Sequence, residues 1–354
     1  MLVIKEEVVC RFVLTASMLL FASGLAGKES NNTLHLYNWE AFLSAKVIGD
    51  FYEETGIHLK ETFFADEGIR DEVMLSDRRN SFDLVVVESV RLQLLAQQGA
   101  ISSLSLLRQD IERHYDDKWL NACGDYGIPY AWGTSGILYR KSAFDKPVTS
   151  WNDLLQPTMA LNDRIAMYYH PIDLVASALL SIGSDPFDTD RDELLKAYSI
   201  LESQRPFINT QNYILNYIST PSKLSEIDIA YGFSGDAYVL NTEAKGQEDK
   251  WEYVTPKEGT TIWLECLAVP AGVKMTNQIE TLIKYLSQPK VAALNAEDTW
   301  FSTPNKSALQ FVSENYLQDP VLNPPHSIIA NSYLYRPVSE LGLLTRQRMV
   351  EELR

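Results

Sequence analysis

The chain predicts an α/β fold with two lobes, on three observations. Between Thr33 and Pro129, strand-like runs alternate with helix-like ones. A glycine- and proline-crowded stretch then intervenes, Ile128-Pro129-Tyr130-Ala131-Trp132-Gly133-Thr134-Ser135-Gly136, and a second alternation starts at Ile137. At 354 residues the chain is long enough for two sizeable cores. Strands alternating with helices imply a mainly parallel sheet covered on both faces. The crowded stretch reads as a crossing between lobes, and its composition suits a bend more than a continuous sheet.

In the first half, Leu34, Leu36 and Asn38 alternate with His35, Tyr37 and Trp39, which predicts a short strand. Ala45–Glu54 has helical periodicity and stops at Gly56, a good residue to follow a helix end. His58–Phe64 and Asp83–Val87 predict strands, and Glu67–Leu75 and Val90–Gln98 predict helices. In the second half, Ser150 is a candidate N-cap for Trp151–Leu155. Strands are expected at Ile165–Tyr169, Ile227–Tyr231 and Trp251–Thr255, and helices at Ile172–Ser181, Asp190–Ser203, Tyr213–Ile218 and Gly235–Glu243. Thr261–Pro270 is a long strand pattern that can return the chain to the first lobe. Gln278–Leu286 and Val291–Ala296 are further helices, and Arg336–Leu353 is a last amphipathic helix docking on the second lobe. There is no internal repeat, low-complexity tract or nucleotide-binding glycine loop.

The N-terminus differs from the rest. Phe12 to Ala26 is an apolar run of 15 residues ending in Gly24-Leu25-Ala26. It is short for a membrane span of ~20 residues and reads as a secretory signal peptide over 1–26, with an uncleaved anchor as the alternative. No cysteine follows the run, so a lipid anchor is not supported. Removing residues 1–26 leaves 29 basic and 45 acidic side chains, a net charge of −16. Such acidity argues against nucleic acid and anionic membranes as partners and is permissive for a cationic ligand, though it also serves solubility. Cys123 and Cys266 can pair in an oxidising compartment or remain buried thiols.

In open α/β sheets ligands sit outside the carboxyl ends of strands, and the first strand ends at Trp39, Glu40 and Phe42. An aromatic ring and a carboxylate there suit a cation carrying apolar carbons. Seven phrases extend this in collinear order: Tyr37-Asn38-Trp39, Phe82-Asp83-Leu84-Val85-Val86, Ile128-Pro129-Tyr130, Val148-Thr149-Ser150-Trp151, Gly232-Phe233-Ser234-Gly235-Asp236, Pro256-Lys257-Glu258-Gly259 and Thr303-Pro304-Asn305. Together they resemble the spermidine/putrescine-binding proteins of polyamine ABC transporters. The resemblance implies a periplasmic-binding-protein-like type II fold, two α/β lobes joined by hinge crossings. Lobe 1 would be 31–136 plus 264–311, lobe 2 would be 137–263 plus 312–354, and the ligand would lie in the cleft.

Carried over by position, the resemblance implies ligand contacts at Trp39, Phe42, Phe233, Asp236, Trp263, Glu265, Phe301 and Tyr335. The family's acidic helix-start pair falls on His170 and Asp173, so one acid has become histidine. Glu88 stands where the family has a serine, Val90 where it has an aromatic, and Glu40 lies beside Ala41, which replaces an acid. The chemistry survives these changes. A polyamine needs apolar walls along its methylenes, roughly 0.8 kcal/mol per buried CH₂. It also needs an acceptor at each ammonium, because buried unpaired ions cost several kcal/mol. Aromatic faces add cation–π contacts of about 0.5–2 kcal/mol. The extra carboxylate at Glu88 points to an additional ammonium and so to spermidine over putrescine.

Blander roles stand beside these. Trp132 and Trp300 are assigned to the core. Asp236 can be a helix cap, Glu88 a solvated edge charge, and His170, before Pro171, a turn cap. The implied function is a monomeric periplasmic solute-binding protein that delivers a polyamine to inner-membrane ABC permease subunits, without catalysis, cofactor or metal. A secreted sensor or interaction module without transport is the alternative. A hydrolase is disfavoured: with five histidines there is no Ser-His-Asp order, His-Glu-x-x-His motif or metal cluster.

Overall fold

The computed structural model describes residues 32–218, 221–243 and 250–354. The expected signal peptide lies outside the described residues. Ten strands form one sheet: β1 (Thr33–Asn38), β2 (His58–Phe63), β3 (Leu84–Glu88), β4 (Ile128–Arg140), β5 (Ile165–Ala166), β6 (Ile208–Thr210), β7 (Ile229–Phe233), β8 (Trp251–Val254), β9 (Thr261–Ala268) and β10 (Tyr333–Leu334). Their order is β2-β1-β3-β9-β4-β7-β5-β6, with β10 beside β9 and β8 beside β4. The outer pairs, β1 with β2 and β3, and β5 with β6 and β7, are parallel, as the alternation predicts. The pairs at the centre made by β9 with β3 and β4, and by β4 with β7 and β8, are antiparallel, so the sheet is mixed.

β4 corrects the expected bend. It is one strand of 13 residues that pairs with β9 up to Thr134 and with β7 from Ser135. The glycines serve close approach instead of bending. A Cβ on Gly133 would lie 2.2 Å from the Trp263 ring and 2.3 Å from Ser234 Oγ. The fold is thus two α/β halves of one sheet, joined through β4 and β9.

Local chemistry accounts for the helix limits. Ser44 accepts the N–H groups of Lys46 and Val47 to start the helix Ala45–Thr55, and left-handed Gly56 ends it. Ser150 and Asp153 form a capping box on Trp151–Leu155. Period-two alternation sorts the first half of the sheet: Leu34, Leu36, Leu84 and Val86 pack with Phe51 and Ile283, while Tyr37, Val85, Val87 and Leu264 pack with Leu92 and Trp119. In the second half Ile137, Ile165, Ile229 and Tyr231 pack under the helices Pro171–Ser181, Arg191–Gln204 and Glu340–Leu353. The last helix docks on this second half, as expected, but begins at Glu340, four residues later than the sequence pattern. The Ile165–Tyr169 strand shrinks to Ile165–Ala166. Cys123, ending the helix Asp117–Cys123, is disulfide-bonded to Cys266 on β9, which decides between the two thiol alternatives.

Candidate functional site

The carboxyl end of β1 delivers Trp39, and a turn through Ala41, left-handed at φ 63°, delivers Phe42. Trp39 Nε1 donates to Glu265 Oε1 at 3.2 Å, and its ring meets Phe64 edge-on at 4.4 Å. Phe42 lies 4.2 Å from Phe301 and 6.4 Å from Trp263, and Phe301 meets Trp263 edge-on at 5.7 Å, all between ring centroids. Trp39, Phe42, Trp263, Phe301 and Glu265 are therefore brought together. Glu40 is exposed and takes no part in these contacts. Trp132 is half-buried, its ring tilted against Trp119 at 5.1 Å. Trp300 is not core: it is 41 % exposed, left-handed at φ 55°, and stacks on Tyr238 at 4.6 Å.

β9 carries Trp263 and Glu265 two residues apart, hence on one face. Gly133 opposite Trp263 leaves room for the indole. Glu265 faces Glu88 directly across the β3–β9 ladder, and both are buried. Burial pushes Glu265 up to about 8; the Arg70 guanidinium opposes this, and the carboxylates of Glu67 and Glu88 reinforce it. Glu88 rises to about 7, again by burial, against hydrogen bonds from Ser89, Val90 and Arg91. The solvated-edge reading of Glu88 is thereby corrected: its carboxylate caps the helix Ser89–Gln97, accepting Val90 N at 2.9 Å and Arg91 N at 3.2 Å. Glu265 Oε2 and Trp263 Nε1 are buried with no hydrogen-bond partner among the described residues. A buried acceptor left open is costly unless something fills it.

The other half of the sheet gathers a second group. Asp173, in the first turn of Pro171–Ser181, is buried; Oδ1 accepts the hydroxyls of Tyr231, at 2.9 Å, and Tyr335, and Oδ2 lies 2.7 Å from His170 Nδ1. Burial alone would raise Asp173, but His170 and the two hydroxyls hold it below the usual carboxylate range. Burial disfavours the His170 cation too, yet Asp173 and Glu67 outweigh that and raise its pKa. Asp236 opens the helix Asp236–Glu243 and accepts Tyr213 Oη and Phe233 N, each at 2.7 Å; burial lifts it to about 7. Phe233, at the end of β7, meets Tyr168 edge-on at 6.3 Å and Tyr213 at 5.7 Å, and Tyr168 stacks on His170 at 5.4 Å.

Sequence reasoning missed Tyr168, Tyr213, Tyr231, Arg70 and Glu67. Tyr231 had a visible signal, lying two residues before Phe233 and so on the same face of β7. Tyr168 and Tyr213 lie just outside Ile165–Ala166 and Ile214–Tyr217, although the sequence pattern included them in a strand and a helix. Glu67 connects the halves electrostatically, acting on Glu265 and Glu88 as well as on His170 and Tyr168.

A mixed α/β sheet crossed by two central strands is a periplasmic-binding-protein-like type II fold. The family of bacterial extracellular solute-binding proteins matches residues 46–324, and the chain belongs to it. Among its relatives is the norspermidine sensor of Vibrio cholerae, 28% identical over 320 residues, 90% of this chain and 88% of that protein. The spermidine/putrescine-binding periplasmic protein of Escherichia coli is 28% identical over 330 residues, 91% of each chain. The solved spermidine/putrescine ABC transporter substrate-binding protein of Streptococcus pneumoniae superposes with a TM-score of 0.80 at 20% identity, covering 91% of this chain and 98% of that one.

Proposed function

We propose that this protein captures a linear polyamine, spermidine or putrescine, between its two lobes in the periplasm and delivers it to the permease of an ABC transporter. The observation that carries the reading is the Trp39–Phe42–Trp263–Phe301 aromatic group, in which Trp39 Nε1 donates to Glu265 Oε1 while Glu265 Oε2 is buried without a partner among the described residues. Rings of that kind take up methylenes and an ammonium, and the carboxylate accepts the ammonium N–H. Asp236 and Asp173, with Phe233, His170 and Tyr335, would hold the far end; Glu40 and Glu88 would add negative charge from the first lobe. The lobes run 31–136 plus 264–311 and 137–263 plus 312–354, after removal of residues 1–26. The Cys123–Cys266 bond fits an oxidising compartment. The protein acts as a monomer and does not turn the ligand over.

A second reading, a polyamine sensor without a transport role, is favoured by the similarity to the norspermidine sensor. Calorimetric titration of residues 27–354 with putrescine, spermidine, spermine and cadaverine tests what both share. No heat and no shift in melting temperature with any of the four would sink both readings. Uptake of labelled spermidine by cells lacking the gene then separates them: unchanged uptake rejects transport.

A further inference from the structure

The Asp173 carboxylate is hydrogen-bonded on one oxygen, Oδ1, and has only His170 beside the other. Two tyrosine hydroxyls, from Tyr231 on β7 and Tyr335 just after β10, occupy Oδ1, whereas His170 Nδ1 lies 2.7 Å from Oδ2 without hydrogen-bond alignment, a buried nitrogen with no partner among the described residues. Asp173 is 3 % exposed, so its charge depends on neighbouring groups more than on water, and it raises the pKa of His170 beside it. The imidazole is itself stacked on Tyr168, which belongs with Phe233 to the aromatic group of the second half. The charged groups acting on it are Asp173 on its own helix, Glu67 at the start of Glu67–Met74, and Arg91 on Ser89–Gln97. Buried Arg346 on Glu340–Leu353 also acts on Asp173, and Tyr168, Tyr231 and Tyr335 around the pair stay neutral up to strongly basic pH because they are buried beside Asp173.

Loss of one proton changes what this pair can do. With the proton on Nε2, His170 Nδ1 becomes an acceptor and Asp173 Oδ2 loses the cation beside it. Two acceptors 2.7 Å apart then face each other unfilled. A primary or secondary ammonium has the two N–H donors that would bridge them. Resting on the polyamine reading above, we propose that His170 is a proton-exchanging ligand residue: an incoming N–H-bearing ammonium displaces its proton and is seated between Nδ1 and Asp173 Oδ2. Charge balances, one ammonium entering and one proton leaving. A quaternary ammonium, having no N–H, can fill an aromatic cage but cannot fill this seat.

The test is calorimetry of the mature chain with spermidine at pH 6, in phosphate and in imidazole, whose ionisation heats differ, so that protons released per ligand are counted. Glu265, Glu88 and Asp236 also release protons when a cation enters, so the informative quantity is the difference between parent and His170→Gln. We expect the variant to release about one proton fewer and its log affinity to rise less steeply with pH, by a slope of about one below neutrality. Equal proton counts in two binding-competent proteins overturn the inference and leave the polyamine reading intact. Absence of binding by the parent overturns both. Should His170→Gln fold poorly, ¹⁵N spectra of the parent's histidines serve instead: one imidazole must pass from cation to the Nε2–H tautomer as spermidine is added. A His170 signal that stays cationic refutes the exchange. Replacing spermidine with its fully N-methylated quaternary analogue should abolish that change, and retention of the change refutes the seat.

Discussion

Trp39 and Trp263 each lie within two residues of an acid, and the structure brings them into one aromatic group through Phe42 and Phe301, with Trp39 Nε1 donating to Glu265. Replacing either with alanine removes ring stacking and methylene burial together, on the order of 1–3 kcal/mol or roughly ten- to hundredfold in affinity. Titration of folded Trp39→Ala and Trp263→Ala checks this; parental affinity in both would show the cage to be misplaced. Asp236 behaves differently because both its oxygens are engaged, by Tyr213 and by the Phe233 N–H. Asp236→Asn keeps one acceptor and loses the charge, so spermidine and putrescine should weaken alike. Trp39 was singled out because alternation marks a strand end and strand ends mark ligand positions, whereas Trp263 and Asp236 came from the family resemblance. Tyr168, Tyr213 and Arg70 were not legible, because their roles arise from contacts between segments distant in sequence, which no local pattern records.

At the scale of elements, Glu88 joins a strand, a helix and the site. Serine is itself a good N-cap, so Glu88→Ser retains the helix start while removing the buried charge opposite Glu265. With its oxygens held by the cap, Glu88 acts on a ligand mainly through space. Spermidine, with one more ammonium, should lose a few-fold more affinity than putrescine, which parallel titrations would reveal; equal losses would confine Glu88 to the helix. The disulfide ties the helix Asp117–Cys123 to β9 across a separation of 143 residues. Reduction, or Cys123→Ala with Cys266→Ala, should cost about 2–5 kcal/mol in denaturant unfolding. An unchanged midpoint would contradict this. Most elements were legible from periodicity and caps, since Gly56 and Ser150 do what their chemistry dictates. β4 was not: glycine reads as a breaker in sequence, whereas here it admits Trp263 and lets one strand serve both halves.

For the whole molecule, four buried ionisable groups at the site shift in one direction. Glu265, Glu88 and Asp236 have folded pKa values raised by burial to about 8, 7 and 7, and that of His170 is raised by Asp173. A raised pKa means the folded state binds more protons than the unfolded one. The associated stability is present below the unfolded pKa and is lost as pH climbs through the folded one. For the carboxylates the window opens near 4.5, or 3.8 for Asp236, and closes near 7 to 8; the His170 contribution fades over the upper part of it. Asp173, with a lowered pKa, acts only below this window. The ligand-free protein should therefore melt at progressively lower temperature from pH 5 to pH 8.5, by on the order of 5 °C. A bound polyamine reverses the logic, because its ammoniums favour the ionised carboxylates and the neutral imidazole. Ligand stabilisation follows RT ln(1 + [L]/Kd), so the gap between free and saturated melting temperatures should widen as pH rises and the affinity with it. Scanning calorimetry at five pH values, with and without spermidine, measures both trends. A free protein whose melting temperature rises across this range, or a ligand gap that narrows, would mean that these carboxylates are not held as buried acids awaiting a cation.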